Sequence, residues 1–263
     1  MTHYETITFI QSDKVGTITL NRPEKRNALN ETMCEELVDC LNLCNKGTDI
    51  KALILTGSGK IFCSGADLWS TEHTADPLPL RVERLVNAAI PVISQLRSVR
   101  VPVIAAVNGP AIGGGFAISL ACDIIIAAES AKFNLQHVLI GMSPDAGVTY
   151  MLPRLVGSKR ATWLMFTGEV VDALQGYEIG FINKVVEDKE LLGEAKALAK
   201  RLAKGATLAI AQTKYLINMS WHENLKTQME KEKQSVAQLA DSDDFGEAIS
   251  AFRDKREPKF KGR

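Results

Sequence analysis

The sequence predicts an α/β fold with parallel strands, followed by an appended helical region. Three observations lead there. Strand-sized apolar runs alternate with amphipathic stretches through the first 157 or so of the 263 residues. Several of those runs, among them "KALILTG", "VPVIAAV" and "DIIIAAE", are almost wholly apolar, as strands covered on both faces are. Beyond residue 158 helical patterns dominate.

In chain order, "VGTITL" and "KALILTG" read as strands ending at turn-prone residues. Between them Asn30 can cap an amphipathic helix that places Met33, Leu37, Cys40, Leu41 and Cys44 on one face. The stretch from Ser70 to Pro79 is polar and aperiodic, and it reads as a mobile loop. "VPVIAAV" is a further strand, closed by Asn108-Gly109-Pro110. "IGGGFAISLAC" reads as a helix, "DIIIAAE" as a strand, and Ala146 to Val156 as a helix opened by Ser143 as cap and Pro144 in the first turn. Helices follow at Ala161–Phe166, Leu191–Ala203 and, as one long segment, Leu208–Asp241.

Composition narrows the function classes. Lys plus Arg and Asp plus Glu are equal at 31 each, so there is no general attraction to nucleic acid or to an acidic membrane. No apolar run approaches the roughly 20 residues of a membrane span, and the N-terminus lacks the layout of a signal peptide. The five cysteines and four histidines form no metal-ligand set and no disulfide framework. A cytoplasmic protein without a metal is expected.

"NGPAIGGGFA" (108–117) is the most unusual stretch. It fails the dinucleotide fingerprint, because Ile118 stands where the third glycine belongs. It also fails the P-loop, because Gly115 stands where the lysine belongs. "GMSPD" fails the serine-hydrolase elbow at Asp145. A strand, a turn and three glycines opening a helix remain. Glycine admits close approach to the backbone, and first-turn amides have no helical acceptor, an arrangement suited to an oxyanion. An isolated run of glycines more often serves only close packing of the helix. "FCSGADL" (62–68), after another strand, is a second loop of small residues able to present an amide.

Together with "NRPEKRNALN" (21–30), "LPRLVG" (152–157) and "AISAFRDKREPKF" near the C-terminus, these segments resemble the crotonase (enoyl-CoA hydratase/isomerase) superfamily over nearly the whole chain. The resemblance implies a ClpP-like spiral of ββα units (residues 1–200) with a helical C-terminal trimerisation region (201–263), assembled as a homotrimer or a dimer of trimers. It implies an acyl-CoA thioester substrate, with coenzyme A part of that substrate and no separate cofactor. The oxyanion-hole amides correspond to Ala66 and Gly114. The backbone of Ser64, Gly65, Ala66, Asp67 and Leu68 would hold the adenine, and Lys25 and Arg26, beside Ala28, would approach the CoA phosphates. Phe252 and Lys255 would close over the nucleotide, often from a neighbouring subunit.

The same resemblance removes one chemistry. Hydratases of the superfamily use two glutamates, and the matching positions here are Ala117 and His137. Asp145 falls on a third position, used by Δ3,Δ2-enoyl-CoA isomerases and by ring-epoxide isomerases of phenylacetyl-CoA breakdown. One carboxylate there can take an α-proton and return it further along the chain, and an Asp close to a helix N-terminus suits the first step. As a lone residue, Asp145 could instead be an ordinary first-turn acid. His137 is either a second acid/base group or a hydrogen-bonded residue without a catalytic part. Phe116, Ile140 and Met142 flank the site as pocket residues or plain core, and the loop from Trp69 to Pro79 is a candidate gate. Three rival readings stand: a hydratase-like enzyme without the glutamate pair, an enzyme using Asp145 as nucleophile, and a non-catalytic acyl-CoA-binding protein. The nucleophilic variant also needs a histidine from the preceding helix, and residues 80–100 contain none.

Overall fold

The computed structural model describes residues 3–45, 49–68 and 75–263. Its elements are, in order, β1 (Ile7–Ser12), β2 (Val15–Leu20), α1 (Glu31–Asn45), β3 (Ala52–Gly57), α2 (Leu78–Ser98), β4 (Val103–Val107), β5 (Ala111–Ile112), α3 (Gly114–Ala121), β6 (Ile124–Ala128) and β7 (Lys132–Asn134). There follow α4 (Val148–Val156), α5 (Ser158–Thr167), β8 (Val171–Asp172), α6 (Ala173–Ile179), β9 (Lys184–Val186), α7 (Leu191–Lys204), α8 (Thr207–Ser220), α9 (Leu225–Ala240) and α10 (Asp243–Arg253).

Six strands form one sheet in the order β1-β2-β3-β4-β6-β9, and β5-β7-β8 form a second. Apart from the β1–β2 hairpin, every pairing in the large sheet is parallel. The expected parallel α/β architecture is therefore present. Its cause is visible in β3, which is buried along its whole length. Successive side chains of a strand point to opposite faces, so Leu53 and Leu55 join the core beneath α1 and α2 while Ala52 and Ile54 join a second core. That second core is closed by Leu191, Ala195 and Ala199 of α7, a one-sided stripe spaced by four. Each Leu or Ile so buried contributes about 1.5–3 kcal/mol.

Helix α1 forms as its pattern predicts. Asn30 Oδ1 accepts the Met33 amide at 3.1 Å, and the expected apolar face is buried together with Cys34. Three expectations need correction. The helix expected from Ala146 begins at Val148, because Ala146 and Gly147 both take the left-handed conformation (φ 47° and 74°) and cannot continue into a right-handed first turn. The segment expected as one helix over 208–241 is two, broken at residues 221–224, where Asn224 caps α9 through the Thr227 amide at 3.0 Å. Helix α2 has no counterpart among the expected elements. It starts on Pro77 and carries Pro91 inside, and proline obscures helical periodicity in a sequence. Of the loop expected at residues 69–79, residues 69–74 lie outside the described region.

The helical layer is anchored to the sheet by a buried ion pair. Lys214 on α8 donates to Asp123 Oδ2 at 2.7 Å and to the carbonyls of Leu96 and Val101, and Asp123 also accepts the Val103 amide at 2.8 Å. Burial pushes the Asp123 carboxyl up and the Lys214 ammonium down, while each charge offsets the other's desolvation. Removing one partner is costly because it strands the other. Lys214→Met should therefore lose about 3 kcal/mol in denaturant unfolding, and adding Asp123→Asn should recover part of that loss.

Candidate active site

Three backbone segments converge at the C-terminal ends of β2, β3 and β4. The first is the "RPEKRNAL" loop. Arg26 and Asn27 take left-handed conformations (φ 55° and 53°), and the buried Asn27 side chain donates from Nδ2 to the carbonyls of Ser58 and Ile61 at 2.9 and 2.7 Å. Arg22 reaches across to the Ala28 carbonyl at 2.6 Å and to Asp67 at 3.0 Å. This motif is therefore mainly a brace that holds the second segment, residues 62–68, in place.

Leu29 pairs with that second segment as a short parallel bridge. The Leu29 amide donates to Gly65 O, and the Asp67 amide donates to Leu29 O, each at 2.8 Å. Along an extended chain alternate amides face opposite sides, so the Ala66 N–H faces away from Leu29. On that other side lies the third segment, the glycine run. Gly113 is left-handed (φ 53°), its amide donates to Asn134 O at 2.9 Å, and α3 begins at the next residue. The Gly114 amide is thus the first of the helix and has no helical acceptor. Among the described residues neither the Ala66 nor the Gly114 amide donates to a protein acceptor. A Cβ placed on Gly114 would lie 4.0 Å from Ala66 N, so the two free donors are neighbours. Two such amides side by side can stabilise a negative oxygen.

The three glycines have different reasons. Gly113 supplies the left-handed turn. Gly115 permits packing, since a Cβ there would overlap the Cys63 carbonyl oxygen. A Cβ on Gly114 would be crowded by the tip of Leu29 alone, at 3.0 Å, its other neighbours lying at ordinary contact distance. The two readings of the run, packing and ligand approach, both hold, one residue apart.

The amides open on an apolar cavity of about 100 Å³. Its wall includes Ser64, Gly65, Leu68 and Ile112 from the segments that carry the amides, and Ile140, Met142 and Ala146 from the segment before α4. Val82, Leu85, Val86, Ala89, Val92 and Ile93 of α2 complete it, residues that sequence reasoning missed along with the helix that carries them. Apolar residues at helical spacing from 82 to 93 were the available signal. Phe116 is not in the wall. It packs in a triangle with Phe133 and Phe181 at centroid distances of 5.0–5.1 Å. Cys34 lines the cavity, but burial pushes its thiol up to about 12, so it is a packing group and not a nucleophile.

Asp145 and His137 both line the cavity, and Asp145 is its only acidic side chain among the described residues. Asp145 does not occupy a first helical turn. It precedes the turn at Ala146-Gly147, and its carbonyl accepts the Val148 amide at 3.1 Å. Ser143 is exposed and caps nothing among the described hydrogen bonds. The His137 Nε2 lies 3.5 Å from Asp145 Oδ1. Ala117 is fully buried beside Phe116 and lies outside the cavity. Lys25, Arg26, Ala28, Phe252 and Lys255 also lie outside it. Lys25 and Arg26 are exposed on the loop whose Arg26 carbonyl accepts the Ser64 amide at 3.1 Å. Phe252, 87% exposed, and Lys255 sit at the end of α10. The Asp67 carboxylate is engaged by Arg22. Among the described residues no cluster of potential metal ligands occurs, and no helix is long and apolar enough to cross a membrane.

A parallel-rich sheet with two free amides framed by glycine defines a protein able to hold a negative oxygen on its backbone, and the comparisons name the family. The chain belongs to the enoyl-CoA hydratase/isomerase family, of crotonase fold, whose sequence profile matches residues 11–263. It is similar to the 1,2-epoxyphenylacetyl-CoA isomerase of Escherichia coli (strain K12), 39% identical over 255 residues and covering 95% of each chain. It is also similar to the crotonyl-CoA hydratase of Syntrophomonas wolfei, 34% identical over 258 residues and covering 98% of each. The crystal structure of an enoyl-CoA hydratase from Bacillus anthracis superposes with a TM-score of 0.93 at 34% identity, covering 98% of this chain and 100% of that one.

The distinct roles of the glycines make a direct test of the geometry. Gly115→Ala should cost about 1–3 kcal/mol of unfolding free energy through overpacking, whereas Gly114→Ala, facing a flexible leucine tip, should cost measurably less in the same denaturation series.

Proposed function

We propose that the protein is an acyl-CoA isomerase that moves a double bond from C3–C4 to C2–C3 of the acyl chain. The observation that carries this reading is that, among the described residues, one carboxylate, Asp145, lines the cavity onto which the free Ala66 and Gly114 amides open. In the proposed reaction the thioester oxygen accepts both amide hydrogen bonds. Asp145 removes a proton from C2, and the electron pair passes to the thioester oxygen as a dienolate. The pair then returns through C2–C3 as C4 takes the proton from Asp145, which ends as it began. The amides stabilise charge that develops only as the proton leaves, so they act on the transition state rather than on the bound substrate. The absence of carboxylates at Ala117 and His137 supports isomerisation over two-carboxylate hydration, and the likeness to a ring-epoxide isomerase supports it further.

The remaining parts of the reading follow the same family logic. The CoA moiety would run along Ser64–Leu68 toward Lys25 and Arg26, with Phe252 and Lys255 closing over it from the C-terminal region (201–263). Exposed apolar side chains on α5 and α6, such as Trp163, Phe166 and Leu174, support self-association, and the family resemblance makes that assembly a trimer or a dimer of trimers, in the cytoplasm. No cofactor beyond the substrate's own coenzyme A is required. A second reading, hydration, is favoured by the likeness to a crotonyl-CoA hydratase and would need water held between Asp145 and His137.

The deciding assay follows the conjugated thioester by absorbance and water addition by mass, starting from 3-enoyl-CoA and 2-enoyl-CoA. Conversion of the 3-enoyl ester without a mass change is expected, and Asp145→Asn should lower the rate at least about 100-fold. Full activity in that variant would sink the role of Asp145. Hydration of the 2-enoyl ester at a comparable rate would favour the second reading, and binding without turnover a non-catalytic one.

A further inference from the structure

We infer that His137 is a positioning residue for Asp145: its ring donates from Nε2 to one carboxylate oxygen and leaves the other free to move the proton. The inference rests on the acid/base reading of Asp145 and adds a partner that holds it.

Asp145 needs such a partner. It stands on an irregular segment, followed by two left-handed residues, and not on a helix that would fix its side-chain direction. Among the described residues its carboxylate has one polar contact, His137 Nε2 at 3.5 Å. That separation exceeds an ordinary hydrogen bond, and such contacts tighten when the substrate fills the site. The backbone brings the two groups together. The chain folds back through Gly141 (φ 74°), and the Met142 amide donates to the His137 carbonyl at 2.9 Å, returning the following residues toward the imidazole.

The ring's other nitrogen determines its role. The His137 side chain is 10% exposed, and its Nδ1 is buried with no hydrogen-bond partner among the described residues. A proton on Nδ1 would be an N–H buried without an acceptor, whereas a proton on Nε2 faces the Asp145 carboxylate. The neutral ring therefore belongs in the Nε2–H form, a donor to Asp145 and not a base competing with it. The glycine turn lies directly against the ring: a Cβ on Gly113 would sit in ordinary contact with Nε2, at 3.6 Å, so glycine is needed there for its positive φ (53°) rather than for space. Imidazole, carboxylate and the turn that carries the Gly114 amide thus form one contiguous unit. A substitution at Gly113 would disturb all three.

The test uses the full-length protein and four variants: His137→Phe, His137→Gln, Asp145→Asn and the double variant His137→Phe/Asp145→Asn. Thermal melts establish that each is folded. Isomerisation of 3-enoyl-CoA by His137→Phe should fall about 10- to 100-fold in kcat, the scale on which orienting partners act, with KM little changed. His137→Gln, whose side-chain amide offers an N–H near the Nε2 position, should recover most of that loss. The double variant should be no slower than Asp145→Asn alone. Nitrogen NMR of histidine-labelled protein should find the His137 proton on Nε2. The inference is overturned if His137→Phe keeps wild-type kcat, if His137→Gln is as impaired as His137→Phe, or if the proton sits on Nδ1. Asp145→Asn separates the two levels. If it stays active, the acid/base reading itself falls, whereas an inactive Asp145→Asn beside an indifferent His137→Phe overturns the positioning role alone.

Discussion

The close passage of two backbone segments, residues 62–66 and 110–115, is the constraint on which the rest of the site depends. The amides of Phe62 and Cys63 both donate to the Pro110 carbonyl, and the Ile112 amide donates to Cys63 O. At Gly65 and Gly115 the separation leaves no space for a side chain. Because the segments lock together through main-chain atoms, the Ala66 and Gly114 amides come from different loops yet share one small region of space. The arrangement costs conformational freedom at several glycines, and the buried strands behind it supply the stability that holds it.

Charge pairing extends that constraint outward. Arg22 joins the first loop to Asp67, so the segment bearing Ala66 is held from both sides. Lys214 and Asp123 do the same at larger scale, tying α8 to the start of β4 and to the last turn of α2. Helix α2 forms one wall of the cavity, so an ion pair that does not itself line the cavity bears on its shape. Burial weakens each charge of such a pair individually and makes the two interdependent. Loss of either partner would reach the site through α2.

Much of the fold was legible in the sequence because strands buried on both faces leave continuous apolar runs, and capped amphipathic helices leave a stripe behind a polar cap. Val103–Val107 and α1 behaved as their patterns required. Helix α2 was not legible, since Pro77, Pro79 and Pro91 resemble loop punctuation until tertiary contacts make the intervening apolar residues a cavity wall. The Ser143-Pro144-Asp145 cap failed for a related reason. Its local grammar fits a helix start, but the left-handed Ala146 and Gly147 postpone the helix to Val148.

By itself the sequence determined the class of fold, the three-glycine turn that opens α3, and the absence of carboxylates at Ala117 and His137. These are local properties, carried by residue type and short-range spacing. Only the tertiary structure decided that the Ala66 and Gly114 amides face a common space, that Gly115 serves packing while Gly114 faces the cavity, and that the imidazole of His137 lies against Asp145. Each of those depends on segments distant along the chain, or on a reversal of direction, meeting within a few ångströms. No local pattern encodes such a distance, because it is set by how the sheet, α2 and the helical layer pack together.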